Sequence, residues 1–156
     1  MNYMTIKQCD IANGTGVRLS LFVSGCPHHC PQCFNQEAWA FDAGKPFTDK
    51  EYNAIITEIK KPYYDGITLL GGEPFAQDKE GLQTLTKLCK DAHSLNKNVW
   101  AYSGYTFEEL KAGTKEQKEL LANCDVLIDG RFEIDKKDIT LPFRGSSNQR
   151  IIYLDN

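Results

Sequence analysis

The sequence predicts an α/β fold, a partial and open (β/α) barrel of parallel strands, and three observations predict it. Short β-rich runs alternate with longer helical patterns, the order that gives parallel pairing through right-handed crossovers. Four such runs are legible, and 156 residues fall well short of the ~250 that a closed eight-stranded barrel takes. No repeat, low-complexity tract or linker interrupts the chain, so residues 1–156 are expected to form a single domain.

The first run, 17–23 (VRLSLFV), is apolar and β-branched enough for a buried strand, and Ser24 and Gly25 stop it. Thr48 and Glu51 then stand at capping-box spacing, and Tyr52, Ile55, Ile56 and Ile59 recur on one face, which predicts a helix over 48–61. Residues 66–70 (GITLL) make a second strand, ended by Gly71 and Gly72. A helix over 79–95 carries the apolar stripe Leu82, Leu85, Leu88 and Cys89. The third strand is 98–103 (NVWAYS), and helical segments from Thr106 and Lys115 lead to a fourth over 125–129 (DVLID). The tail reads as a loop followed by an edge strand over 150–154.

Parallel strands share one rim at their carboxyl ends, where α/β proteins build their sites. A cysteine loop follows the first strand, GGEP the second, SGY the third and DGR the fourth. Four unusual loops are therefore expected to meet.

Composition bounds what they do. Hydrophobic residues make up 41% and charged residues 25%, ordinary for a soluble globular protein. The formal net charge is −3 with no basic block, which argues against a nucleic-acid surface. The first ten residues hold no apolar core of a signal peptide, and no apolar run reaches membrane-spanning length, so no membrane association and a cytoplasmic location are expected. Reducing conditions there favour clustered cysteines as metal ligands or catalytic groups over disulfides.

The cluster is SGCPHHCPQCFN, with Cys26, Cys30 and Cys33 within eight positions. A structural zinc site needs four protein ligands, so His28, His29 or a distant cysteine would have to complete it. Cys9, Cys89 and Cys124 are expected to pack as buried thiols, and His28 and His29 to be exposed spacers. A 4Fe–4S cube takes one thiolate per iron, and three thiolates from one tight loop leave the fourth iron open for a ligand. Pro27 and Pro31 stiffen that loop.

C-x3-C-x2-C after the first strand of a parallel α/β domain resembles the signature of the radical S-adenosylmethionine (SAM) superfamily. The resemblance implies one 4Fe–4S cluster on Cys26, Cys30 and Cys33, with SAM chelated at the open iron and cleaved reductively to a 5′-deoxyadenosyl radical. It departs at Gln32, where an aromatic residue commonly precedes the third cysteine; here Phe34 follows it. The resemblance further implies SAM contacts from Gln32, Cys33 and Phe34, and from Gly71, Gly72 and Glu73 of GGEP, where glycines admit the ligand and the Glu73 carboxylate accepts from its ammonium. Arg131 would pair with the cofactor's carboxylate, and Ser103, Gly104 and Tyr105 would line the ribose or adenine.

The small size, NGTGVRLSLFVSGC, CPQCFN, VLIDGRFE and RGSSNQR together are similar to the glycyl-radical-enzyme activases that act on anaerobic ribonucleoside-triphosphate reductase. The implied partners are that reductase, presenting a glycine loop as substrate, and a low-potential reductant such as flavodoxin. Arg144, Ser146 and Asn148 are expected to complete the open rim. Two other readings stay open: a small radical SAM enzyme acting on a small molecule, such as a deazapurine synthase, and a non-catalytic iron–sulfur or zinc module.

Overall fold

The computed structural model describes residues 1–31, 33 and 36–154, so Gln32 and Phe34 lie outside the described residues. Among the described residues the strands are β1 (Asn2–Asp10), β2 (Arg18–Val23), β3 (Lys45–Pro46), β4 (Gly66–Gly71), β5 (Asn98–Tyr102), β6 (Val126–Asp129) and β7 (Arg150–Tyr153). They form one sheet in the order β3-β1-β2-β4-β5-β6-β7. The helices are α1 (Asp49–Ile59), α2 (Lys79–Ser94), α3 (Phe107–Lys111) and α4 (Lys115–Ala122).

The four strands read from the sequence make the sheet's centre, with β2, β4, β5 and β6 paired in parallel in that order. The sheet is not closed, since β3 and β7 stand at its two ends. The expectation of parallel strands fails at the flanks: β1 pairs antiparallel with β2 and β3, and β7 antiparallel with β6. β1 escaped the sequence reading because most of it is half-buried or exposed, so it lacks the apolar run of the central strands.

Alternation along the central strands separates two faces. Leu19, Leu21, Val23, Ile67, Leu69, Val99, Ala101 and Leu127 pack with the helices in one core. The expected stripes face this core, with Tyr52, Ile55 and Ile59 buried on α1 and Leu82, Leu85, Leu88 and Cys89 on α2. The cap of α1 is as read, with Thr48 and Glu51 forming a capping box, and Asp78, which the sequence reading did not single out, accepts from the Gly81 amide to open α2. Cys89 and Cys124 are buried as expected, but Cys9 is exposed, lying near the end of β1, whose residues are mostly half-buried or exposed.

The opposite face carries Arg18, Ser20, Thr68, Trp100 and Tyr102, and it is held by polar bonds as well as packing. The fully buried Arg18 guanidinium donates to Thr68 Oγ1 (2.7 Å) and to the carbonyls of Thr15, Ile67 and Asn98. Thr68 Oγ1 donates to the Asn13 carbonyl at 2.7 Å. The buried Asp10 carboxylate accepts from Ser20 Oγ (2.6 Å), Asn13 Nδ2 (2.8 Å) and the Ala12 amide (2.9 Å). These bonds fix the turn entering β2.

Asp10 yields a pH prediction. Burial raises its pKa, but hydrogen bonds from Ser20, Ala12 and Asn13 outweigh burial and hold it below the usual value. The carboxylate therefore stabilises the fold above the unfolded pKa near 3.9, and that contribution is lost as pH falls through the lower folded value. Thermal melts from pH 6 to pH 2 should show Asp10→Asn less stable at pH 6 by about 1–3 kcal/mol, with the gap from wild type closing in acid. A gap independent of pH would contradict this reading.

Candidate functional site

At the carboxyl ends of β2, β4, β5 and β6 the backbone itself sews the loops together. The Gly72 amide donates to Val23 O (3.1 Å) and the Glu73 amide to Gly25 O (2.7 Å), joining the β4 loop to the base of the cysteine loop. The Gly25 and Cys26 amides donate to Ala38 O and Trp39 O, which closes the cysteine loop on itself. On the far side, the Ser103 amide donates to Ile128 O and the Gly130 amide to Tyr105 O. Gly72 is where two loops touch: a Cβ there would lie 2.5 Å from Gly25 O, so only a residue without a side chain admits this contact.

Inside this frame sits Glu73, with no solvent exposure. Its Oε1 accepts from the Gly104 amide (2.6 Å), Ser103 Oγ (3.0 Å) and His28 Nε2 (2.7 Å), and its Oε2 from the Phe75 amide (3.0 Å). The amide on the same oxygen makes His28 the donor. His28 is thus no exposed spacer: its side chain is 4% exposed, and its ring packs edge-on against Tyr105 with centroids 4.6 Å apart. It is buried because an ionised carboxylate removed from water needs this donor. His29 is exposed, as expected, and stacks on Trp39.

The loops enclose a cavity of about 150 Å³. Cys26, Cys30 and Cys33 line it, faced by Gly71 and Gly72, with Ser103, Gly104 and Gly130 also at its walls. Burial pushes the Cys26 thiol up to about 11 and raises that of Cys30 as well. Both hold their protons at neutral pH until a metal takes the sulfur, and metal binding then releases them.

Of the expected site residues, the structure brings Cys26, Cys30, Cys33, Gly71, Gly72 and Glu73 to one cavity. The Glu73 carboxylate is taken up by the protein's own donors, while Gly71 and Gly72 of the same loop line the cavity. Arg131 stands outside the cavity, its side chain half-exposed and 3.8 Å from Glu109, while its neighbours Gly130 and Phe132 line the cavity. Ser146 and Asn148 turn inward on the fold: Ser146 Oγ accepts from the Glu133 amide, and Asn148 Nδ2 donates to Arg131 O. Sequence reasoning missed Trp39, Leu70, Tyr102, Ile128 and Gln149 on the walls. Leu70, Tyr102 and Ile128 could have been found, since each is the last or next-to-last residue of a predicted strand, on the face alternating with the helix-covered one.

Comparison with known proteins decides the family. The model of a family described as a 4Fe-4S single cluster domain matches residues 12–152, which supports an iron–sulfur cluster in this chain. A protein of Pasteurella multocida (strain Pm70) named anaerobic ribonucleoside-triphosphate reductase-activating protein is 45% identical over 157 positions, covering 98% of this chain and 97% of its own. Proteins of the same name from Enterobacteria phage T4 and Escherichia coli (strain K12) are each 39% identical, covering 97% and 99% of this chain and 93% and 99% of their own. This chain belongs to the anaerobic ribonucleoside-triphosphate reductase-activating protein family.

The donor set fits the 4Fe–4S cluster named in the description of the matched family. Among the described residues no group of three or more His, Cys, Asp and Glu side chains converges as the ligands of a single metal ion would. A cube of irons and sulfides needs thiolates spread over its corners, and three cysteines of one loop lining a shared cavity supply that. Gly72→Ala should push the cysteine loop off its seat and lower iron and sulfide per chain after anaerobic reconstitution several-fold, with a lower melting temperature. Wild-type iron content would show that the contact with Gly25 O is dispensable.

Proposed function

We propose that this protein activates an anaerobic ribonucleoside-triphosphate reductase as a radical SAM enzyme, through a single domain spanning 1–156 on a partial, open barrel. The observation that carries the reading is the cavity in which Cys26, Cys30 and Cys33 face the backbone of Gly71 and Gly72, together with the shared name of the full-length relatives. When bound, a 4Fe–4S cluster and SAM supply an electron and a 5′-deoxyadenosyl group able to take hydrogen from a glycine Cα of the reductase.

The chain's own residues then have defined tasks. Cys26, Cys30 and Cys33 hold the cluster, and the Gly71–Gly72 backbone receives the ammonium end of SAM. Glu73 acts on SAM indirectly, as a positioning residue that fixes His28, Ser103 and Gly104 around the cavity. Gln32 and Phe34 flank the third cysteine beside SAM, and Arg131 pairs with the SAM carboxylate on leaving Glu109. A low-potential donor such as flavodoxin supplies electrons. The reaction belongs in the cytoplasm; no helix among the described residues is long and apolar enough to cross a membrane.

Replacing Cys26, Cys30 or Cys33 with Ala should abolish cluster binding, whereas Ala at Cys9, Cys89 or Cys124 should retain iron. With reductant and SAM the reconstituted protein should release 5′-deoxyadenosine, and with the reductase it should give the doublet glycyl signal in electron paramagnetic resonance. Stoichiometric zinc in place of iron contradicts the reading. Release of 5′-deoxyadenosine with no glycyl signal would point to a small-molecule substrate instead.

A further inference from the structure

The tail segment 144–150 (RGSSNQR) contains no cysteine, yet its side chains grip the loop after β6. Three of them bond the backbone of that loop in turn. Gln149 Nε2 donates to Gly130 O (3.0 Å), Asn148 Nδ2 donates to Arg131 O (2.8 Å), and Ser146 Oγ accepts from the Glu133 amide (3.2 Å). The segment is braced from within. Gln149 Oε1 accepts from the Gly145 and Ser146 amides at 2.8 and 3.1 Å, and Arg144 Nη1 donates to Gln149 O at 3.3 Å.

Phe132 lies between these anchors, and its backbone amide donates to the Cys30 sulfur. Both residues line the cysteine cavity. Cys26 takes amide bonds from His28 and His29, inside the cysteine loop. The bond from Phe132 to Cys30 instead crosses from the loop after β6, so it holds only while that loop keeps its place. Ser146, Asn148 and Gln149 fix the place, because each side chain bonds a backbone group within two residues of Phe132.

A thiolate that ligates an iron–sulfur cluster gains negative charge when the cluster is reduced. An N–H aimed at its sulfur therefore favours the reduced form, and hydrogen bonds to the sulfurs are one of the factors that set the potential. Resting on the function proposed above, we infer that residues 146–149 set the reduction potential of the cluster by holding the Phe132 amide on the Cys30 sulfur. Ser146 and Asn148 are positioning residues, and neither lines the cysteine cavity. The bond raises the potential toward that of a low-potential donor and adds no charged group to the cavity.

The test compares two full-length variants with wild type, each reconstituted anaerobically. In one, phenyllactate replaces Phe132, which turns the amide into an ester and keeps the ring; the other is Asn148→Ala. Redox titration followed by electron paramagnetic resonance of the reduced cluster, without SAM or reductase, gives each potential. Both variants should titrate lower. At the poise where wild type is half reduced, the ratio of reduced to oxidised cluster should fall about tenfold, or ~59 mV for a one-electron couple. A purely structural clamp predicts a lower melting temperature at an unchanged potential, and an unchanged or raised potential in either variant overturns the inference. Loss of the cluster from either variant overturns it too, since the bond or the clamp would then serve assembly. If wild type holds a cluster and the variants match its potential, the inference alone fails; if wild type holds none, the functional reading fails and takes the inference with it.

Discussion

Glu73 is a carboxylate with no solvent exposure, and such an ion persists only where donors surround it. Its donors come from three loops: His28 from the cysteine loop, Phe75 from its own, and Ser103 and Gly104 from the loop after β5. A carboxylate this satisfied has no capacity left for an external cation. Its work is to hold the cysteine loop against the Gly71–Gly72 backbone, so that the thiols and that backbone face one cavity. Removing a single donor would leave the rest of the network buried and short of a partner, which is why the loops behave as one unit.

The sheet beneath supplies what this carboxylate needs. Four parallel strands end at one rim with Val23 in register with Gly71, so loops distant in sequence begin beside one another. The helices take the apolar face of the strands, and the other face is left to Arg18, Thr68, Trp100 and Tyr102. Buried polar bonds hold that face as a wall. The antiparallel strands at the flanks extend the sheet without adding loops to this rim.

The central strands were legible because each is an apolar β-branched run stopped by glycine or serine, and the helices because their caps and stripes are local signals. β1 was not, since an outer strand with little burial carries a weak pattern. At the site the cysteine spacing and GGEP singled out residues that line one cavity, but the task of Glu73 did not show. Its partners His28 and Ser103 lie 45 and 30 residues away, and nothing in GGEP says that its acidic side chain turns into the protein. His28 was misjudged for the same reason: a histidine between two prospective ligands looks like a spacer until Glu73 is placed against it. Tyr102 belongs to no motif, and Gln149 lies in RGSSNQR without having been singled out; they reach the cavity through strand alternation and the folded tail.

Amide hydrogen exchange on Glu73→Gln tests most directly whether one carboxylate unites the loops. The amide group turns a donor toward donors that both oxygens now satisfy. Exchange should quicken at Phe75 and Gly104, which bond the carboxylate, and equally at Gly25 and Cys26 in the cysteine loop, while Ala101 within β5 keeps its protection. Faster exchange confined to Phe75 and Gly104, with the cysteine loop as protected as in wild type, would contradict the account.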